Sequence, residues 1–294
     1  MMLAEKPTLV TDDWVQRMID TPGRSAYQNI DGHVTHCLEW GDPANPRVML
    51  LLHGFLGNAH WWDFIAPWFA ADYRVVAIDF WGMGDSGARG KYTNQLFVDQ
   101  IGAVLRSISS PVTLVGHSFG GRIAVFAAHE FSEHIARGII VDTKLGFPDR
   151  PIRPRFTPRP KRLYLDLETV YGRFRFVPEE PPVLPAIMQH LARHSAKRVD
   201  GGYLWKFDEA LMGGVDWQSV TEGELLEKIG VPLDFIAGEL SEVVPSDLGR
   251  RIGKALRNGR GPIIIPSAHH HIPVNQPLAL VAALRALLIG STTP

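Results

Sequence analysis

The chain of 294 residues lacks the features that mark several large classes of protein. Cys37 is its only cysteine, so the chain can form no internal disulfide and no thiolate cluster for a metal. The 30 Lys and Arg balance 31 Asp and Glu, which leaves no electrostatic footprint for nucleic acid. No apolar run approaches about eighteen residues, and the start lacks a secretory pattern. We therefore expect a cytoplasmic protein with no membrane span and no nucleic-acid partner.

Signals for a cofactor or a bound metal are also missing. The stretch GMGDSG at 82–87 resembles a dinucleotide-binding loop, but the helix pattern and the acid that should follow it are absent. The adjacent His269, His270 and His271 would point in different directions from one loop, which disfavours a single chelate. The sequence predicts no cofactor and no metal.

Proline and glycine, by contrast, are abundant, with 22 and 28 residues. Nine of the prolines fall between Pro148 and Pro185, and residues 150–175 are rich in arginine. This shift in composition marks an insertion over about 144–215. It could be a solvated excursion or a lid over a site, and its basic residues could be a solvated surface or attract an anionic substrate.

Outside that window, short apolar runs alternate with helical patterns. Such alternation predicts an α/β fold with a parallel sheet covered on both faces. The predicted strands are 33–40, 47–53, 73–79, 111–116, 138–142, 232–237 and 262–265. The predicted helices lie near 61–70, 94–108, 120–131, 245–256 and 277–288.

The most informative motif is Gly-x-Ser-x-Gly at 116–120, with Ser118 at its centre. An apolar strand leads into it and an apolar-faced helix leaves it, which is the setting of a nucleophile on a sharp turn. Glycines on either side let the strand and the helix approach, and the strained turn projects the hydroxyl from the sheet. A glycine-rich turn that binds phosphate is the alternative.

A second glycine-rich turn, HGFLG at 53–57, directly follows the strand 47–53. Such a turn exposes backbone N–H groups, and a tetrahedral oxyanion needs two of them. We expect these donors to be the amides of Phe55 and of Phe119, the residue after the nucleophile. His53 is expected to stabilise the turn rather than to transfer protons.

With these motifs, the chain resembles the α/β-hydrolase superfamily over about residues 25–142 and 225–290. The resemblance rests on HGFLG at 53–57, AIDFWGMGDSG at 77–87, GHSFGG at 116–121 and SAHHHIPVNQP at 267–277. It implies an α/β-hydrolase fold, with a mostly parallel eight-stranded sheet flanked by helices. It also implies a helical cap after strand 6, so that residues 1–143 and 216–294 form the core and 144–215 the cap.

The resemblance also implies a Ser-His-acid triad. Relatives commonly carry a proline seven residues beyond the base, and counting back from Pro277 gives His270. Their acid usually follows the seventh strand, but Ser241 stands at that position here. Asp142, at the end of the sixth strand, and Glu242 are the two replacements, and Asp142 is favoured because the acid need only reach Nδ1 of the base.

The implied function is a serine hydrolase that cleaves carboxylic esters of a small-molecule acyl substrate. The same core also serves thioesterases, lactonases, C–C bond hydrolases and perhydrolases. A serine at 118 disfavours dehalogenases and epoxide hydrolases, which need an aspartate there. A ligand-sensing protein without turnover is a further alternative, suggested by Ser241. Trp61, Trp62 and Trp81 could line an apolar pocket or pack the lid on the core.

Overall fold

The computed structural model describes residues 13–150, 162–213, 215–216 and 221–289. The strands are β1 Arg24–Ile30, β2 His33–Trp40, β3 Val48–Leu52, β4 Arg74–Ile78, β5 Val112–His117, β6 Ile135–Val141, β7 Ala196–Val199, β8 Gly202–Trp205, β9 Leu233–Gly238 and β10 Ile263–Ile265. The α-helices are α1 Asp13–Ile19, α2 Asn94–Arg106, α3 Phe119–Glu130, α4 Leu167–Arg173, α5 Pro185–His194, α6 Glu222–Leu226, α7 Ser246–Ala255, α8 Ile272–Asn275 and α9 Pro277–Leu288.

Eight strands form one sheet in the order β1-β2-β4-β3-β5-β6-β9-β10. The pairs β1–β2 and β2–β4 are antiparallel, and the other neighbours are parallel. The expected mostly parallel eight-stranded sheet is confirmed. Because the carboxyl ends of parallel strands meet at one edge, the loops after β3, β5, β6, β9 and β10 gather there.

Strand β3 shows why the sequence reads as a continuous apolar run. Leu50 and Leu52 belong to the core on one face of the sheet, whereas Met49 and Leu51 belong to the core on the other. Successive side chains of a strand point to opposite faces, so a sheet covered on both sides needs apolar residues at every position. All five residues of β3 are buried.

Two local expectations differ from the structure. The predicted helix near 61–70 is wrong: the segment forms two 3-10 helices, Ala59–Trp62 and Ala66–Phe69. Pro67 explains part of this, because it donates no N–H and restricts the residue before it. Strand β1 was not predicted, since six of its seven residues are at least partly exposed and carry no apolar pattern.

The insertion between β6 and α6 contains α4, α5 and an antiparallel hairpin of β7 and β8. It is therefore not wholly helical, and much of its proline-rich and arginine-rich part, 151–161, lies outside the described residues. A separate hydrophobic cluster joins it to the rest of the chain. The fully or largely buried members of that cluster are Val15, Phe64, Phe176, Ile187, Leu191 and Val274.

Candidate active site

Ser118 lies on the sharp turn between β5 and α3, with φ 53° and ψ −113°. The glycines around it are required by space. A Cβ on Gly116 would lie 2.4 Å from the carbonyl oxygen of Gly120, and one on Gly120 would lie 2.4 Å from that of Leu52. Any larger residue would therefore push the helix away from the ends of β3 and β5.

Left-handed backbone is concentrated around this turn. Among the described residues, five other than glycine have a positive φ: Asp31, Leu56, Ser118, Asp142 and Ser267. All but Asp31 lie in loops that follow the carboxyl ends of β3, β5, β6 and β10. Each such conformation costs on the order of 1–3 kcal/mol and persists only where the surrounding structure enforces it.

A chain of hydrogen bonds joins three of the predicted residues. The Oγ of Ser118 lies 2.9 Å from Nε2 of His270, and Nδ1 of His270 lies 2.7 Å from Oδ2 of Asp142. Since an ionised carboxylate can only accept, Nδ1 of the imidazole donates to Asp142 and Nε2 accepts from the serine hydroxyl. This tautomer is the one that a general base for Ser118 requires.

Asp142 is held from two further directions, which explains the unusual residue at 241. The backbone N–H of Gly238 donates to its Oδ1 at 2.9 Å, and the Ser241 hydroxyl donates to its Oδ2 at 2.5 Å. The Ser241 oxygen in turn accepts from the N–H of Val244 at 3.1 Å. The residue at the customary acid position thus supports a carboxylate supplied by the end of β6.

Burial dominates the electrostatics of this pair. It raises the pKa of Asp142 to about 7, against the lowering effects of the Ser241 and Gly238 hydrogen bonds. Burial, and then the neighbouring His271, lower the pKa of His270 below its usual value. A neutral imidazole is therefore favoured, and above the pKa of Asp142 its Nδ1–H faces the carboxylate, which leaves on Nε2 the electron pair that proton abstraction from Ser118 requires.

Two further residues near the site had no predicted role. Nε2 of His117 donates to the backbone carbonyl of His270 at 2.9 Å and so fixes the loop that carries it. Burial, His270 and His271 lower the pKa of His117 well below 6.5, so it stays neutral. From the insertion, Glu180 accepts the backbone N–H of His271 at 3.0 Å.

The two expected oxyanion donors come from neighbouring turns. The Phe55 and Phe119 rings contact each other with centroids 5.5 Å apart. A Cβ on Gly54 would lie 3.6 Å from Cβ of Ser118, so this turn runs directly beside the serine. The Phe119 ring is buried against Phe80, so this side chain faces the core.

His53 and Glu242, the other two residues considered from the sequence, lie outside this hydrogen-bonded series. Fully buried His53 contacts the carbonyl of Gly54 through Nδ1 at 2.7 Å and accepts the Phe80 N–H through Nε2, which fits a structural role. Glu242 is exposed, whereas Asp142 makes the contact with the base.

A cleft of about 250 Å³ opens beside His270. It is lined by Pro178, Glu179, Glu180, Pro181, Glu242, His269 and His270. Its walls are therefore acidic rather than aromatic. Trp62 and Trp81 are buried in the core, and only Trp61 approaches the site, with its ring 5.4 Å from that of His271.

Across the part of the chain that the structure describes, every helix is too short or too polar to cross a membrane.

The chain is similar to known proteins, to some of them over most of its length. It is 24% identical to the esterase Rv0045c of Mycobacterium tuberculosis over 270 residues, 89% of this chain and 88% of that protein. It is also 24% identical to the protein PHYLLO of Arabidopsis thaliana, and there it covers 88% of its own length but only 16% of the relative. A serine hydrolase-like protein of Mus musculus is 36% identical over 114 residues, 37% of this chain and 36% of that protein.

Solved structures agree on the fold. The thioesterase domain of a curacin biosynthetic pathway superposes with a TM-score of 0.78 at 22% identity, over 90% of this chain and 99% of that domain. The structure of esterase Rv0045c superposes with a TM-score of 0.72 at 19% identity, over 98% and 100%. The model of the alpha/beta hydrolase family matches residues 49–284. This chain therefore belongs to the alpha/beta hydrolase family.

Proposed function

We propose that this protein is a serine hydrolase that cleaves carboxylic esters through an acyl-enzyme intermediate. The observation that carries the proposal is the hydrogen-bonded series from Ser118 through His270 to Asp142, at the carboxyl edge of the sheet. The similarity to a curated esterase over nearly the whole chain supports the same reaction class.

In the first half of the reaction, the Ser118 oxygen attacks the ester carbonyl while Nε2 of His270 takes its proton. The new positive charge on the imidazole faces the carboxylate of Asp142, which stabilises it in a buried setting. The imidazolium then returns the proton to the departing alcohol, and the acyl group stays on the serine.

In the second half, a water molecule loses its proton to the same imidazole and attacks the acyl-serine. The acyl–oxygen bond to Ser118 then breaks, the imidazolium returns the proton to the serine oxygen, and the carboxylic acid leaves. Both tetrahedral intermediates place negative charge on the former carbonyl oxygen. We assign the backbone amides of Phe55 and Phe119 to this oxygen, because the two turns that carry them meet beside Ser118.

We also propose that residues 144–215 act as the lid of this site, with 1–143 and 216–294 as the core. Glu180 of the insertion contacts the loop of His271, and its neighbours line the cleft beside His270. Carboxylates on the cleft wall disfavour acyl groups with a negative charge. We therefore expect neutral esters to be preferred over esters of dicarboxylic acids.

Labelling with a fluorophosphonate probe tests the nucleophile. We expect one equivalent of probe on Ser118, found by mass spectrometry, and no labelling of the Ser118→Ala variant. Ser132→Ala is the matched control, because Ser132 is an exposed serine away from the site. Labelling of another residue, or of none, would overturn the proposal.

Turnover of p-nitrophenyl acetate, butyrate and octanoate tests the reaction class. We expect a burst of p-nitrophenol followed by steady turnover, because the acyl-enzyme accumulates when its hydrolysis is slow. A thioester and a lactone belong in the same panel, since one core serves these substrates too. Stoichiometric binding without turnover of any of them would instead favour a ligand-sensing protein.

A further inference from the structure

Three histidines that are distant in sequence meet where the insertion contacts the core. His60 lies on the 3-10 helix Ala59–Trp62, and His190 and His194 lie on α5. Residues four apart on a helix share one face, so α5 presents both imidazoles together. We call His60, His190 and His194 the cap cluster.

The rings of the cap cluster are in direct contact. Those of His60 and His194 stack with centroids 3.6 Å apart, and those of His190 and His194 lie 4.5 Å apart. One ring nitrogen from each histidine lies within 4.8 Å of the other two. Tetrahedral Zn²⁺ with bonds of about 2.0 Å would hold three nitrogens about 3.3 Å apart, so the His194 ring, which stacks on that of His60 at 25°, would turn out of this stack on binding.

A buried carboxylate sets the direction of two of these rings. Oδ2 of Asp63 lies 2.8 Å from Nδ1 of His60 and 2.6 Å from Nε2 of His190. Both ring nitrogens donate to this oxygen, which leaves electron pairs on Nε2 of His60 and on Nδ1 of His190. Imidazoles that hold a metal in proteins are oriented in this way by a carboxylate behind them.

The other oxygen of Asp63 strengthens the argument. Asp63 is only 5% exposed, and its Oδ1 is buried without a hydrogen-bond partner among the described residues. Among the described residues, the Asp63 carboxylate thus accepts side-chain hydrogen bonds only from the two imidazoles that it orients.

The geometry points to a binding site for a divalent transition metal, best suited to Zn²⁺, at His60, His190 and His194, with Asp63 as the carboxylate that orients two of them. Three neutral imidazoles and a water are a donor set that Zn²⁺ accepts. The side chains of His60 and His190 are 17% and 10% exposed, so an ion could reach the site from solvent.

A metal at this place would fasten the insertion to the core. His60 comes from the core, whereas the other two ligands come from α5. Asn58 and Ser195, the neighbours of these residues, already share a hydrogen bond of 3.0 Å across the same boundary. Trp61, which follows His60, contacts His271 at the candidate active site. Occupancy of the metal site would thus restrain α5 against the core.

Zinc titration of the chelator-treated full chain tests the site. We expect one tight Zn²⁺ per chain by equilibrium dialysis, and a visible absorption typical of tetrahedral coordination when Co²⁺ is used instead. His194→Gln is expected to lower the zinc affinity on the order of 100-fold. His129→Ala is the matched control, because His129 is an exposed histidine on α3, and it should bind zinc normally.

Two further variants keep the test decisive. His60→Gln replaces the ligand from the core, and it should weaken zinc binding as His194→Gln does. Two ligand variants keep the test interpretable if one of them folds poorly. His270→Gln should keep the tight site, which separates it from zinc bound at the triad. The proposal fails if no saturable zinc binding occurs, if both ligand variants bind as the wild type does, or if only His270→Gln loses the ion.

Hydrogen exchange gives a readout that does not depend on activity. In the wild type, zinc should slow amide exchange in Pro185–His194, because the metal would hold this helix against the core. Unchanged exchange at saturating zinc would contradict the fastening of the insertion.

Discussion

This molecule contains two groups of three histidines, which differ in the chemical groups that face their imidazole rings. His117, His270 and His271, which we call the elbow cluster, meet at the carboxyl edge of the sheet. The cap cluster lies where α5 meets the core. Each group has a buried carboxylate that orients imidazoles, Asp142 in one and Asp63 in the other.

The difference is the number of rings that each carboxylate orients and the group that faces them. Asp142 orients one imidazole, and the Ser118 hydroxyl lies at its other nitrogen. Asp63 orients two imidazoles, and one ring nitrogen from each of them lies within 4.8 Å of the other and of one from His194. One ring facing a hydroxyl suits proton transfer, whereas three nitrogens facing one another suit a cation. Residue type alone does not distinguish these uses.

The strongest test makes the same histidine-to-glutamine substitution in each cluster. His270→Gln should lower kcat/KM for p-nitrophenyl butyrate by about 10⁴-fold, because the general base is lost. His194→Gln should leave the metal-free rate within about threefold. Comparable losses in the two variants would contradict the division of roles between the clusters.

The acid is tested by a second pair of substitutions. Asp142→Asn should lower kcat by up to about 10⁴-fold, because an amide cannot stabilise the imidazolium and favours the wrong tautomer. Glu242→Gln should change kcat by less than about threefold, since this side chain is exposed. The reverse ranking in steady-state kinetics would move the acid to Glu242.

Ser241→Ala should have an intermediate effect. It removes a hydrogen bond to an ionised group, which is worth about 1.5–3 kcal/mol, so kcat should fall by about 10- to 100-fold. The hydroxyl lowers the pKa of Asp142, and its loss should raise that pKa. Because the carboxyl must be ionised to act, the acid limb of the pH–rate profile should move to higher pH. A lower kcat with an unmoved limb would point to a structural role only.

Asp63→Asn should give the smallest change. The amide can still contact the rings of His60 and His190 but carries no charge, so zinc affinity should fall by about tenfold by equilibrium dialysis. The metal-free kcat should stay within about twofold, which contrasts with Asp142→Asn. A large loss of metal-free activity would show that Asp63 acts on the reaction directly.

Most of the predictions rest on short-range patterns in the sequence. The strand, the glycines and the helix around Ser118 are local, and so is the turn of Phe55. Family spacing located His270, and the departure at Ser241 directed attention to Asp142. The structure brings these side chains within hydrogen-bond distance, while their catalytic roles stay a prediction.

Long-range contacts account for what the sequence did not predict. His60 and His194 meet only because the insertion folds back onto the core, and no spacing between them marks a site. The support of Asp142 by Ser241 depends on the proximity of β6 and β9. The predicted α-helix at 61–70 is a local exception. The prediction followed the apolar pattern of this segment and gave too little weight to Pro67.

Ser118 and the three other left-handed residues at the carboxyl edge of the sheet, Leu56, Asp142 and Ser267, bear on how the protein responds to heating. We expect this backbone to relax once the sheet edge loosens, at a lower temperature than the core melts. Hydrolytic rate should therefore decline at a lower temperature than helical circular dichroism. For this molecule, loss of activity would therefore report thermal damage earlier than loss of secondary structure does.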